Sequence, residues 1–131
     1  MVGKTAKPIG NLRYLYIGTS NAKRDIEYYT KVLRAEKIWD RTRCGAKVAA
    51  LRVGTGPLIL LADHRPAPSC ILIYEVEDLA GVSDSLREKG WKPEGDPFEV
   101  PDGPCYRFND PSGNPFALLQ IVRPNIFRTK A

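Results

Sequence analysis

The feature that most narrows the fold is a pattern that occurs twice. Leu12 to Thr19 alternates apolar and other residues, as a half-buried strand does. Ser20 or Asn21 then caps a helix whose apolar stripe is Ala22, Ile26, Tyr29 and Leu33. Residues 36–43, 46–53 and 58–62 read as three more strands, turned at Gly45 and at Gly54-Thr55-Gly56. After a Pro-containing connector the order returns. Ile71 to Val76 is a strand, Asp78 caps a helix carrying Leu79, Val82 and Leu86, and Gly90 ends it. Residues 97–100, 104–109 and 115–122 are the last strands. Leu15 matches Leu72 and Asn21 matches Asp78 at an offset of 57, while aligning Pro57 with Pro115 gives 58. Such doubling predicts a pseudo-twofold with sheets curling around a shared groove. The fold class expected is α+β, two tandem βαβββ units in one domain over residues 11–122. The units are 11–63 and 71–122, with a flexible lead-in at 1–10, a connector at 64–70 and a basic tail at 123–131.

The last strand of the second unit is aimed by Asn109-Asp110-Pro111-Ser112-Gly113-Asn114-Pro115. Pro111 has φ preset for the second position of a type I turn, and Gly113 and Asn114 tolerate the positive φ that closes it.

Composition limits the function classes. The chain is 43% hydrophobic and 27% charged, which is ordinary for a globular domain. The longest apolar runs are too short to span a membrane, and residues 1–8 have no apolar segment of the signal-peptide kind. Cys44, Cys70 and Cys105 are odd in number and widely spaced, which suggests neither a disulfide framework nor a zinc knuckle. A reduced, cytoplasmic protein is the expectation. The net charge of +5 comes from basic residues spread among acidic ones, with no basic run interleaved with aromatics, so nucleic acid ranks last among partners.

The doubled order, the Asp110-Pro111-Ser112-Gly113-Asn114 turn and the Tyr28-Tyr29…Leu33 helix together resemble the vicinal oxygen chelate superfamily. That superfamily includes glyoxalase I, extradiol dioxygenases, and fosfomycin and bleomycin resistance proteins. The resemblance implies the glyoxalase/bleomycin resistance fold and, in metal-using members, a divalent ion held by His and Glu on the concave face. Carried over, those positions fall on Tyr14, Ile59, Ile71 and Ala117. A hard cation needs several oxygen or nitrogen donors, and three of these are hydrocarbon. The expectation is therefore a groove without metal and no cofactor, closest in character to the bleomycin-resistance branch. In that branch a homodimer sequesters a drug in paired grooves, which makes antibiotic resistance one implied role.

Strand parity gives the expected lining: Tyr14, Tyr16, Ile59, Ile71, Ile73 and Ala117, joined by Glu75, Cys105 and Arg107. Trp39, Arg41 and Arg43 share one face of their strand, and parity across the preceding turn leaves open which face that is. Aromatic surface combined with guanidinium groups suits a planar or part-apolar ligand bearing acidic oxygens. The main expectation is thus a small-molecule-binding protein, metal-free and homodimeric. The alternative is a lyase, isomerase or dioxygenase using a displaced metal site, or metal-free acid–base chemistry by Tyr14, Glu75 and Arg107. His64, the only histidine, reads as an exposed connector residue. Cys105 has no histidine near it in sequence and reads as a small buried hydrophobe.

Overall fold

The computed structural model describes residues 9–43 and 45–124, with the side chain of Arg43 outside that description. Most of the expected lead-in and tail, and Cys44, lie outside it as well. Two compact units are present. One is Arg13–Leu72, and the other joins Ile73–Ala131 to the N-terminal residues as far as Leu12. The boundaries fall inside two strands because the lead-in is stitched to the second unit: Gly10 N–H donates to the Glu75 carbonyl at 2.7 Å, and Glu75 N–H donates to the Asn11 carbonyl at 2.8 Å.

In the first unit, β1 (Leu12–Gly18) is followed by α1 (Ala22–Glu27), β2 (Glu36–Arg43), β3 (Ala46–Arg52) and β4 (Leu58–Ala62). The strands lie in the order β2-β3-β4-β1, with β1 parallel to β4 and the other pairs antiparallel. Asn21 caps α1 by accepting from Arg24 N–H at 3.0 Å. The helix then widens into a π-helical turn, Tyr28–Val32, in which Leu33 N–H reaches back five residues to the Tyr28 carbonyl. Ile26 and Tyr29 precede or enter that turn and pack on Ala35, Leu51 and Leu61, with Ile17 and Ile59 beside them. Leu33, expected on the same stripe, is instead exposed, because the wider turn carries it past the buried side that Tyr29 still occupies.

In the second unit, β5 (Cys70–Val76), α2 (Leu79–Glu88), β6 (Phe98–Val100), β7 (Gly103–Asn109) and β8 (Pro115–Gln120) follow in sequence, with sheet order β5-β8-β7-β6. Asp78 caps α2 through Gly81 N–H at 3.0 Å, and the Gln120 side chain takes the Leu79 N–H at 2.8 Å. Leu79, Val82 and Leu86 pack against Tyr74, Val76, Tyr106, Phe108, Phe116 and Leu118. The turn before β8 forms as its residues require. Gly113 N–H closes on the Asp110 carbonyl at 2.9 Å, and Gly113 has φ of 89°. Asn114 keeps negative φ and is held by the Asp110 carboxylate instead.

The register corrects one expectation. Strand parity puts Ile59 with Tyr14 on the face away from the helix. It stands beside Leu15 and packs with Ile26 and Tyr29, on the helix side. The residue beside Tyr16 is Leu60. Helix-facing Ile59 and Leu61 thus correspond to Phe116 and Leu118, so the repeat keeps its offset of 57 to the last strand. A shift of one residue turns a strand side chain to the other face, which is why the small difference matters.

Candidate functional site

The first unit presents a transverse row of side chains on the sheet face opposite α1. Trp39 pairs with Ala50, Ala50 with Leu60, and Leu60 with Tyr16. Directly opposed residues share a face, so all four point the same way. The next row is Arg41, Val48, Ala62 and Gly18. With strands about 4.8 Å apart, Trp39 and Tyr16 are separated by roughly 14 Å, with Ala50 and Leu60 between them. The face of Trp39 was open from sequence because β2 has a bulge: its register against β3 shifts between Lys37 and Trp39. That extra residue brings Trp39 and Arg41 into the rows of Ala50 and Val48. The Arg41 guanidinium lies 5.8 Å from the centre of the Trp39 ring.

The connector folds back onto the other end of these rows. A Cβ on Gly18 would stand 1.9 Å from the Pro66 carbonyl oxygen, so only glycine admits the connector here. Gly18 N–H donates to the Ser69 carbonyl at 3.3 Å, and the Ser69 hydroxyl donates to the Pro66 carbonyl. At the near end, Asp63 N–H donates to the Lys47 carbonyl at 3.1 Å, and Lys47 N–H returns to the Asp63 carboxylate at 2.9 Å. Held at both ends, the connector places His64 Nε2 2.9 Å from the Tyr16 hydroxyl. It also places the Arg65 guanidinium 5.7 Å from the centre of the Tyr16 ring. Sequence reasoning left both connector residues out of the site. Gly18 at the strand end was the one local signal of a close approach.

In the second unit, Ile73 and Glu75 alternate along β5 with the helix-packed Tyr74 and Val76. Cys105 pairs with Leu119 and Arg107 with Ala117, on the face opposite α2. Burial, then the nearby Asp102 and Glu99 carboxylates, push the Cys105 thiol far up, so it stays protonated and poorly nucleophilic. Arg107 is half-buried, and its Nε has no hydrogen-bond partner.

Burial sorts the expected lining into floor and rim. Tyr14, Ile71, Ile73, Cys105 and Ala117 are at most 1% exposed, so a ligand touches them only if something moves. Tyr16, at 8%, is nearly covered. Trp39, Glu75 and Arg107 are half-buried and Arg41 is exposed, as is His64, while Arg65 is half-buried. In the first unit the accessible groups are therefore aromatic and cationic.

The divalent ion implied by the resemblance does not fit the donors at the four corresponding positions. With the register corrected these are Tyr14, Leu60, Ile71 and Ala117: one phenol and three hydrocarbons. Among the described residues no three His, Cys, Asp or Glu side chains converge as metal ligands would. No helix among them is long and apolar enough to cross a membrane.

Comparison with known proteins agrees with the fold. Methylmalonyl-CoA epimerase from Mycobacterium tuberculosis superposes with a TM-score of 0.77 at 17% identity, covering 96% of this chain and 95% of that one. The Streptomyces coelicolor epimerase in complex with 2-nitronate-propionyl-CoA gives 0.73 at 13% identity, covering 87% and 99%. A hypothetical protein from Bacillus halodurans gives 0.72 at 13%, covering 83% and 92%. Identities this low speak for the fold alone. No curated protein matches the chain by sequence. The model of the Glyoxalase/Bleomycin resistance protein/Dioxygenase superfamily matches residues 11–118, and the chain belongs to that superfamily.

Proposed function

We propose that the protein binds a planar, part-apolar, anionic small molecule on the sheet face opposite α1, without a metal at the superfamily's usual positions. One observation carries this reading. Two aromatic–guanidinium pairs, Trp39 with Arg41 and Tyr16 with Arg65, bracket a floor of Ala50 and Leu60 that has no exposure of its own. A flat ligand gains stacking area against Trp39, and its acidic oxygens meet cations that grip carboxylate or phosphate bidentately. Sequestration of a drug-like compound by a homodimer, as in the bleomycin-resistance branch, is the physiological role we attach to this binding. The test is calorimetric titration with 1-naphthoate. Saturable binding that weakens by about tenfold in W39A supports the reading, since base-sized aromatic stacking is worth about 1–3 kcal/mol. Equal affinity in the variant contradicts it.

A second reading rests on the Tyr16–His64 hydrogen bond. A phenol and an imidazole in contact can pass a proton, the work an isomerase or lyase needs. The likeness to methylmalonyl-CoA epimerases makes methylmalonyl-CoA the first compound to try. Incorporation of solvent deuterium that disappears in H64Q supports this reading. Incorporation at the uncatalysed rate contradicts it.

A further inference from the structure

The connector does more than join the two halves of the repeat. Arg65 has no carboxylate partner among the described residues, and its Nε is buried without a hydrogen-bond acceptor. Asp63, two residues away, is turned to the Lys47 N–H. A guanidinium carries five N–H donors in a rigid fork, and stacking on Tyr16 occupies its face and none of those donors. Packing alone does not explain the residue. A lysine stem or a methionine would cover Tyr16 without leaving a buried donor unmet. Beside it, the Tyr16–His64 contact uses Nε2 of the imidazole. When the phenol donates to a neutral ring, Nδ1 carries the proton and is a further donor. Gly18 and the hydrogen bonds at both ends hold these groups in place before any ligand arrives. Preformed donors of this kind are what an oxyanion requires.

We infer that Arg65 and the Nδ1–H of His64, whose ring the Tyr16 hydroxyl holds, form an oxyanion site that takes the carboxylate or phosphate end of the ligand. This deepens the binding reading above and rests on it: the flat part of the molecule reaches toward Trp39, and the charged end is gripped by the connector. The ligand class is thus an aromatic or other planar acid whose anionic group lies at one end.

The test compares 1-naphthoate, 1-naphthyl phosphate and the neutral 1-naphthalenemethanol by calorimetry, on the full chain and on R65Q, R65K and W39A. R65Q is expected to weaken both anions by about tenfold or more and to leave the alcohol within about twofold. R65K, which keeps the charge and loses the fork, is expected to fall between. Whichever anion the wild type binds more tightly identifies the group the site takes. Thermal melting of R65Q at the wild-type temperature shows that the fold is kept. Equal loss for the anions and the alcohol, or no loss for either anion, overturns the oxyanion site. If W39A still weakens all three ligands in that case, the binding reading stands without it. If the wild type binds none of the three saturably, both readings fall.

Discussion

The Tyr16 hydroxyl and the His64 ring meet at 2.9 Å across 48 residues of chain. Their meeting depends on a third residue, Gly18, whose missing side chain leaves room for Pro66. The connector is thereby seated against the row of side chains that ends at Gly18.

The substitution G18A tests that dependence. The new methyl group meets a backbone carbonyl, which cannot swing aside as a side-chain tip can. Overpacking of this kind costs about 1–3 kcal/mol. We expect urea unfolding to show a loss of that size and the His64 ring signals to shift in NMR spectra. Unchanged stability and unchanged His64 signals contradict the account.

Leu61 tests the corrected register. It is 2% exposed in the cluster with Ala35, Leu51, Ile26 and Tyr29. L61A is expected to cost about 2–5 kcal/mol by chemical denaturation, the usual range for a buried leucine. A loss below about 0.5 kcal/mol, the scale of surface substitutions, contradicts its place in the core.

Much of this was legible in the sequence, for definite reasons. Alternation and caps announce β1, β5 and both helices, because a strand with one buried face and a helix with an Asx cap each leave a local mark. The doubled order followed from those marks, and the superfamily from the order together with the turn at Asp110. Three things were not legible. The bulge that sets the face of Trp39 and Arg41 comes from pairing with β3, and nothing local to Ile38 signals it. The face of Ile59 depended on a one-residue choice between two equally apolar alignments. The approach of His64 and Arg65 to Tyr16 is a tertiary contact, and a Pro-rich connector looks alike whether it lies on the sheet or stands clear of it.

Acid should loosen the fold in a way traceable to particular carboxylates. The Asn114 side-chain amide and the backbone N–H groups of Asn114, Ser112 and Gly113 hold the Asp110 carboxyl below its ordinary range. The Arg24 side chain, then the Thr19 hydroxyl, lower Asp25, and the Lys37 ammonium lowers Asp40. A carboxyl depressed in the folded state adds stability above the unfolded value, near pH 4, and that stability is lost as pH falls through the folded value. Stability is therefore expected to drop below about pH 4. In D110N the drop should be shallower, because one of the depressed groups no longer titrates. Denaturation midpoints measured from neutral pH downward check this, and parallel curves for the two proteins contradict it.

Cys105 should be chemically silent while the chain is folded. It has no exposure, and its thiol is held protonated by burial. In a C44S/C70S background a thiol reagent at neutral pH is expected to leave Cys105 unmodified until denaturant is added. Rapid modification of the native protein contradicts its burial.

The central claim is that the face carrying Trp39 binds a planar anion, and the fluorescence of Trp39 tests it most directly. With W91F, Trp39 is the sole tryptophan. Titration with 4-nitrobenzoate, a flat anion that quenches indole, is predicted to give saturable quenching that R65Q weakens. Quenching that rises linearly without saturation, as free collision gives, would contradict the claim.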